Sequence, residues 1–388
     1  MASVTEWVVH GAGPAFTANS TGQHELAARK GRVYRVFHDA SLVEFDANAA
    51  TARYWDIPGA LSGSLPPSTL NAIGMQVGPG GKVWLATAFA GLLVRLDPGA
   101  DLFTGYTLGG GAVTVAPLPH ASRLRFDAKG DAWYTTNLAH STAADRPVIG
   151  RYHPGAGQSA LWELPFDNAI AMDVWPEAKA VWCSFAFATA PRTRPALCRL
   201  DISNGTLKCW FLTGGASPGH TFSAMAGDAS KPKNLWLIYN DLVAVRQVVR
   251  LKVATGFCTS FKDGHSDPID VDVDSNGNAW VANTDGRIQC LGPTAECKRA
   301  TLRSRRDRAL RFSLPVSIAT YPVAPVSLTI TTRSYAVTPA KQRCSIDYPL
   351  QPGIAIPVAG GLTTGNPRIK SPIYYSLPDV KGIGALTP

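Results

Sequence analysis

Residues 81–98 read GKVWLATAFAGLLVRLDP. Two apolar runs, one opened by Gly-Lys and the other closed by Leu-Asp-Pro, read as a β-hairpin. The phrase recurs along the chain. GDAWYTT (130–136) leads to VIGRYHP (148–154), and AVWCSF (180–185) leads to ALCRLD (196–201). NLWLIY (234–239) then leads to VVRLK (248–252), and GNAWVAN (277–283) to GRIQCL (286–291). The repeated tryptophans are Trp84, Trp133, Trp182, Trp236 and Trp280, spaced by 49, 49, 54 and 44 residues. Self-similarity at such a period means one supersecondary unit copied around an axis or along a stack.

Each copy divides into four strands. Around Trp182 these are FDNAIAMDV (166–174), AVWCSF, ALCRLD and TLKCWFL (206–212), the last two joined through Asn204-Gly205, a strong hairpin signal. No helical stripe persists. Four-stranded meanders at a period of about 40–50 residues are the signature of propeller blades, so the fold class is an all-β β-propeller. The first copy is degenerate, with Tyr34 where later copies place tryptophan, and six regular blades then fill residues 24–302, the sixth ending in CKRATL (297–302). Residues 303–350 are expected to make a divergent seventh blade, which TEWVV (5–9) joins to close the ring. The Pro/Gly-rich residues 351–388 are expected as a tail packed on the propeller.

The 388 residues are 45% hydrophobic and 17% charged, the balance of a globular chain. No apolar run reaches the roughly 18 residues a membrane helix needs. The opening MASVTEWVVHGAG lacks a secretory pattern, which places the protein in the cytoplasm or in an assembled particle such as a virion. The net charge is +9, and much of it lies in 297–312: Lys298, Arg299, Arg303, Arg305, Arg306, Arg308 and Arg311 against the single acid Asp307. Such a run is either a solvated loop or a surface for phosphates or an acidic partner. No aromatics interleave with it, and nothing indicates sequence-specific nucleic-acid recognition. Cys198 and Cys209 flank one turn and Cys290 and Cys297 another, positions from which antiparallel strands can form disulfides. Without a secretory signal, buried thiols are the expected state.

The phrase Gly-x-x-Trp-x-x-Thr, followed by Ile-Gly-Arg and Trp-Glu-Leu-Pro, resembles the repeat of the streptogramin B lyase family, over roughly residues 24–302. The resemblance implies a seven-bladed propeller. It also implies elimination at a cyclic depsipeptide ester, with a His base, a Glu and Mg²⁺ assistance. In that family the His stands ten residues before the blade tryptophan and the Glu four after it. Here only His24 has the first offset, ten before Tyr34, and the second position holds His38. In the regular blades that second position is Ala88, Asn137, Ala186, Asn240 and Thr284, none of them acidic.

Inner strands of a propeller put polar side chains around the channel. The candidates are Asn137, Asp173, Asn240, Asp270 and Asn283 together with His24 and His38. Their oxygens suit Ca²⁺ or Mg²⁺, or else line a hydrated channel and satisfy backbone groups. His120 and His220 fall in loops, and DSNGN (274–278) reads as an ordinary turn. Two functions follow from these residues. One is a non-catalytic module presenting loops and the channel mouth to a protein, a glycan or a particle surface. The other is a metal-assisted lyase or lactone hydrolase using His24 and His38.

Overall fold

The computed structural model describes residues 2–10, 26–37, 41–62, 72–87, 92–108, 124–138, 146–166, 169–177, 179–187, 195–211, 221–227, 234–240, 247–253, 257–261, 268–274, 276–283, 287–292, 298–301, 303–341, 345–350, 362–363, 372–377 and 382–388. Seven antiparallel blades form a ring. Blade one is Leu26–Arg29, Arg32–Phe37, Ser41–Asp46 and Thr51–Asp56. Blade two is Ala72–Val77, Val83–Thr87, Leu92–Asp97 and Leu102–Leu108. Blade three is Arg125–Phe126, Ala132–Leu138, Arg146–Tyr152 and Gln158–Glu163. Blade four is Ala169–Pro176, Ala180–Phe187, Pro195–Asp201 and Thr206–Phe211. Blade five is Thr221–Gly227, Asn234–Asn240, Gln247–Lys252 and Phe257–Phe261. The inner strand of each blade touches the inner strand of the next, and that of blade seven touches Leu26–Arg29 of blade one.

Seven buried clusters hold the ring, one at each blade interface. Trp133, Ile149 and Trp162 of blade three, for example, pack on Val174, Val181 and Cys183 of blade four. The blade tryptophan always points toward the following blade, as Trp182 does toward Phe222, Met225 and Leu235. This follows from strand alternation: residue i meets one neighbouring blade and residue i+1 the other. Both faces of a blade strand are therefore apolar, and Ser41–Asp46 is buried at five successive positions.

The last third of the chain departs from its expected layout. Blade six contains Pro268–Val273, Ala279–Asn283 and Arg287–Leu291, but its fourth strand is Ser345–Pro349. Residues 298–301, expected as that fourth strand, pair instead with Phe257–Phe261 of blade five. From there the chain runs backward around the rim. Arg303–Arg308 pairs with the outer strand of blade four, and Leu310–Pro322 pairs first with blade three and then with blade two. Val326–Val337 pairs with blade one through Val326, Ser327 and Leu328, and with Ala2–His10 through the rest. Ala340–Lys341 finally reaches Ser345–Pro349 in blade six.

This belt is a fifth strand added to the rim of every blade, and residues 303–350 do not form a blade of their own. The physical reason lies in its side chains. RSRRDR is polar on both faces, and VSLTITTRSYAV has Val326, Leu328 and Ile330 on one face against threonines and serine on the other, so neither can be sandwiched between two blades and both cap an edge. Blade seven is built from the chain's two ends: Leu362–Thr363, Ile373–Leu377, Gly382–Thr387 and Ala2–His10. The C-terminal residues described are thus blade strands and not a packed tail. Ala2–His10 pairs with Gly382–Thr387 on one edge and with the belt on the other.

Cys198 and Cys209 stand directly opposite one another in blade four and form a disulfide, in place of the expected thiols. Cys290 is a free thiol, and its suggested partner Cys297 lies outside the described residues.

Candidate functional site

Blades two to five each carry one cross-strand row, whereas in blade six Trp280 stands opposite Cys290. In blade four Trp182 stands opposite Arg199, Arg199 opposite Lys208, and the belt extends the row to Arg306. Glu177, just past the end of the blade's first strand, accepts the Trp182 indole N–H at 2.6 Å and Arg199 N–H groups at 2.9 and 3.2 Å. Trp182 stacks on Trp210 with ring centroids 4.9 Å apart, while the Arg199 guanidinium lies 5.9 Å above the Trp182 ring. Arg95 over Trp84 and Tyr106, Arg151 over Trp133 and Trp162, and Arg250 over Trp236 and Phe261 repeat the arrangement. Cation–π contact of this kind is strongest where water is excluded. The row explains the arginine that recurs in VRLD, GRYHP, CRLD and VRLK.

Blade one inverts the row. Glu44 occupies the arginine position, accepts the Tyr34 hydroxyl at 2.7 Å and pairs with Arg53 at 3.0 Å. Burial together with the Glu44 carboxylate holds the Tyr34 phenol far above its ordinary pKa. The degenerate first copy is therefore a rebuilt blade whose polar row is self-satisfied.

Asp173 and Asp270 occupy equivalent places, immediately after a β-bulge in the inner strands of blades four and six. Asp173 is 0% exposed. Its two oxygens accept the Val174 and Met225 backbone N–H groups, each at 2.7 Å, so it ties blade four to the inner strand of blade five. Asp270 likewise accepts the Val271 N–H at 2.9 Å. Asn283 is buried and donates to the Arg287 carbonyl at 3.3 Å. Asn137 lies one residue before the end of the second strand of blade three, opposite Pro147, and Asn240 ends that of blade five, opposite Thr221. His24 and His38 lie outside the described residues.

These positions do not converge on a cation. Asp173 has committed both oxygens to N–H donors, and among the described residues no three His, Cys, Asp or Glu side chains form a metal-holding group. The described donors thus do not fit Mg²⁺ or Ca²⁺, which demand six or more free oxygen ligands including water.

The basic segment is not a loop. Lys298 and Arg299 lie on the belt strand of blade five, Arg303, Arg305, Arg306 and Arg308 on that of blade four, and Arg311 on that of blade three. Arg306, Arg308 and Arg311 are exposed, and the Arg311 guanidinium lies 5.5 Å from the Trp162 ring. Three of the four exposed large apolar side chains among the described residues, Leu310, Ile318 and Val326, also lie on the belt. The fourth, Ile346, lies on the strand where the belt rejoins blade six.

No protein-family model and no curated protein matches the chain. Among solved structures it is similar to selenomethionine-substituted virginiamycin B lyase from Staphylococcus aureus, with a TM-score of 0.62 and 14% identity over 100% of both chains. It is similar to a streptogramin B lyase structure (TM-score 0.61, 14% identity, covering 99% of this chain and 97% of that one). A catalytically inactive histidine-to-alanine variant of virginiamycin B lyase from Staphylococcus aureus with quinupristin gives a TM-score of 0.60 and 15% identity, over 99% of each chain. At such identities the likeness is one of architecture. This chain has the β-propeller fold of the streptogramin B lyases.

Proposed function

We propose that the protein is a non-catalytic β-propeller module that docks onto a protein surface, such as that of an assembled particle, through its rim. The observation that carries this reading is the belt. Along Leu310–Pro322 and Val326–Val337 each residue pairs with one neighbouring strand and, among the described residues, with no second one. Natural sheets protect such edges with charge or proline, because a free edge templates strand addition. The stretch VSLTITT (326–332) has neither, and the exposed Ile318 and Val326 lie on this apolar arc.

A photo-crosslinker at Ile318, in cells or particles of the source, should join the protein to one defined polypeptide. Ile318→Lys with Val326→Lys should abolish the product while the denaturation midpoint holds. A protein that stays monomeric and crosslinks to nothing overturns the reading.

The competing reading is metal-assisted depsipeptide or lactone cleavage. Its support is the likeness to lyases, one of them inactivated by a single histidine substitution, together with His24 and His38 flanking the first hairpin of blade one in sequence. Turnover of quinupristin or a simple lactone with Mg²⁺ or Ca²⁺ that disappears in His24→Ala would replace the docking reading. A glycan partner would appear as saturable oligosaccharide binding insensitive to the Ile318 and Val326 changes.

A further inference from the structure

We propose that the outer end of the seam between blades four and five binds the phosphate backbone of single-stranded nucleic acid, without regard to base sequence. At this seam the Trp182 face of blade four packs on blade five, in a buried cluster that contains Trp210 and Cys258. In the same row as Trp182, Arg199, Lys208 and Arg306 stand directly opposite one another on three successive strands, with Arg308 two residues further along the belt. Arg199 has the Glu177 carboxylate, whereas Lys208 opposite Arg306 is a pair of like charges across the sheet, an arrangement that an anion would relieve.

The acids nearby are already engaged. Glu177 takes Arg199 and the Trp182 indole, and the Asp201 carboxylate takes the Ser203 N–H and hydroxyl. Among the described residues no carboxylate pairs with Lys208, Arg306 or Arg308, all of which are exposed. The cationic run continues along the rim, since the belt brings Lys298 opposite Ser260 and Arg299 opposite Thr259 in blade five, and Arg311 opposite Trp162 in blade three.

Six of these seven belt cations are arginine, whose planar fork matches phosphate. A sequence pI of 9.2 with the charge concentrated on one element is the electrostatic footprint of a nucleic-acid binder. The rings beneath the cations, Trp182 and Trp210, are buried, so no base can stack on them and contact is limited to phosphates. The rim turns from blade to blade, so a flexible single strand can follow it where a rigid duplex meets one blade at a time. This surface is separate from the apolar arc of the docking reading. Ile318→Lys should therefore leave it intact, and either proposal can fail alone.

The test is fluorescence anisotropy of a labelled oligothymidylate against the full chain across a salt series. Three phosphate contacts give a slope of log affinity on log salt of about −2, at about 0.7 per contact for single strands. Arg306→Glu with Arg308→Glu should bring the slope above about −1 and weaken binding at least about tenfold at 0.1 M salt, with the urea midpoint unchanged. Lys208→Gln, which leaves the belt untouched, should remove one contact's worth of slope and serves if the double variant does not fold. The proposal is overturned by a salt-independent wild type, by variants that bind like the wild type, or by capture of heparin oligosaccharides without the oligonucleotide.

Discussion

Replacing Gly384 by alanine tests whether the chain's ends truly form blade seven. Gly384 lies between Tyr375 on one neighbouring strand and Glu6 on the other. The Tyr375 ring crosses it to donate its hydroxyl to Glu6 at 3.4 Å, beside the Tyr335 hydroxyl at 2.9 Å. A Cβ at this position would stand 2.1 Å from a Tyr375 ring carbon. Tyr375 is fully buried, so the ring has nowhere to retreat without disturbing the cluster it shares with Trp280 and Leu386. Overpacking of this kind costs about 1–3 kcal/mol. Pulling the phenol away from a buried carboxylate adds about 1–3 kcal/mol. Together Gly384→Ala should destabilise by roughly 3 kcal/mol, which at about 2.1 cal/mol/K per residue lowers the melting temperature by about 4 °C.

Urea denaturation followed by tryptophan fluorescence reads the loss. Gly150 is an internal comparison, because Tyr134 crosses it in the same way toward Ser159 and an added Cβ would meet that ring at 2.2 Å. Gly157, with no atom within 4 Å, is the neutral control. If Gly384→Ala matched Gly157→Ala while Gly150→Ala was damaging, the pairing of the C-terminal strands with Ala2–His10 would be refuted.

Cys209→Ser should cost about 3 kcal/mol, the loop-closure value for the separation of 11 residues between Cys198 and Cys209, and intact mass under non-reducing conditions should show the two-hydrogen deficit in the wild type. Glu177→Ala strands a buried indole N–H and the Arg199 guanidinium, and should cost about 2–4 kcal/mol, with Glu177→Gln recovering part of it; equal midpoints for all three proteins would contradict the row. Burial pushes the Cys258 thiol up to about 12 from its ordinary 9.0. Since the raised value favours the neutral thiol in the folded state, its contribution is complete below pH 9 and is lost as pH climbs toward 12, at up to about 1.4 kcal/mol per unit. Cys258→Val should flatten that part of the alkaline stability profile, and an unchanged slope would count against the buried placement.

The propeller was legible because its blades repeat a local pattern: an apolar run, a turn, and a tryptophan at a fixed place. Blade seven carried a readable signal too. IYYSL (373–377) and GIGAL (382–386) echo AWYTT and VIGRY of blade three, with Tyr375 over Gly384 standing for Tyr134 over Gly150. The echo lacks the tryptophan and lies amid Pro and Gly, which is why composition suggested a tail. The belt was not legible. A strand that caps an edge needs little beyond backbone pairing, so its burial period is weak, showing in the first half of Val326–Val337 only at Leu328 and Ile330, and RSRRDR has the composition of a solvated loop. Its partners lie more than 300 positions away in sequence at the N-terminal strand, as the Thr5–Ser334 hydrogen bond across 329 positions shows. Among the candidate site residues, polarity next to an inner strand was visible for Asp173, but its use as a tie between blades depends on a bulge that no sequence rule places.

The belt also constrains how the molecule is made. Repeat proteins ordinarily add units one at a time, each resting only on its neighbour. Here the hoop cannot be laid until blades five to one exist, and blade seven waits for Gly382–Thr387 before Ala2–His10 finds its place between that strand and the hoop. Assembly is thus gated by the most distant contacts in the chain, which slows folding. Once fastened, the hoop spans every seam but the one between blades five and six, so a blade cannot peel away without straining a neighbour.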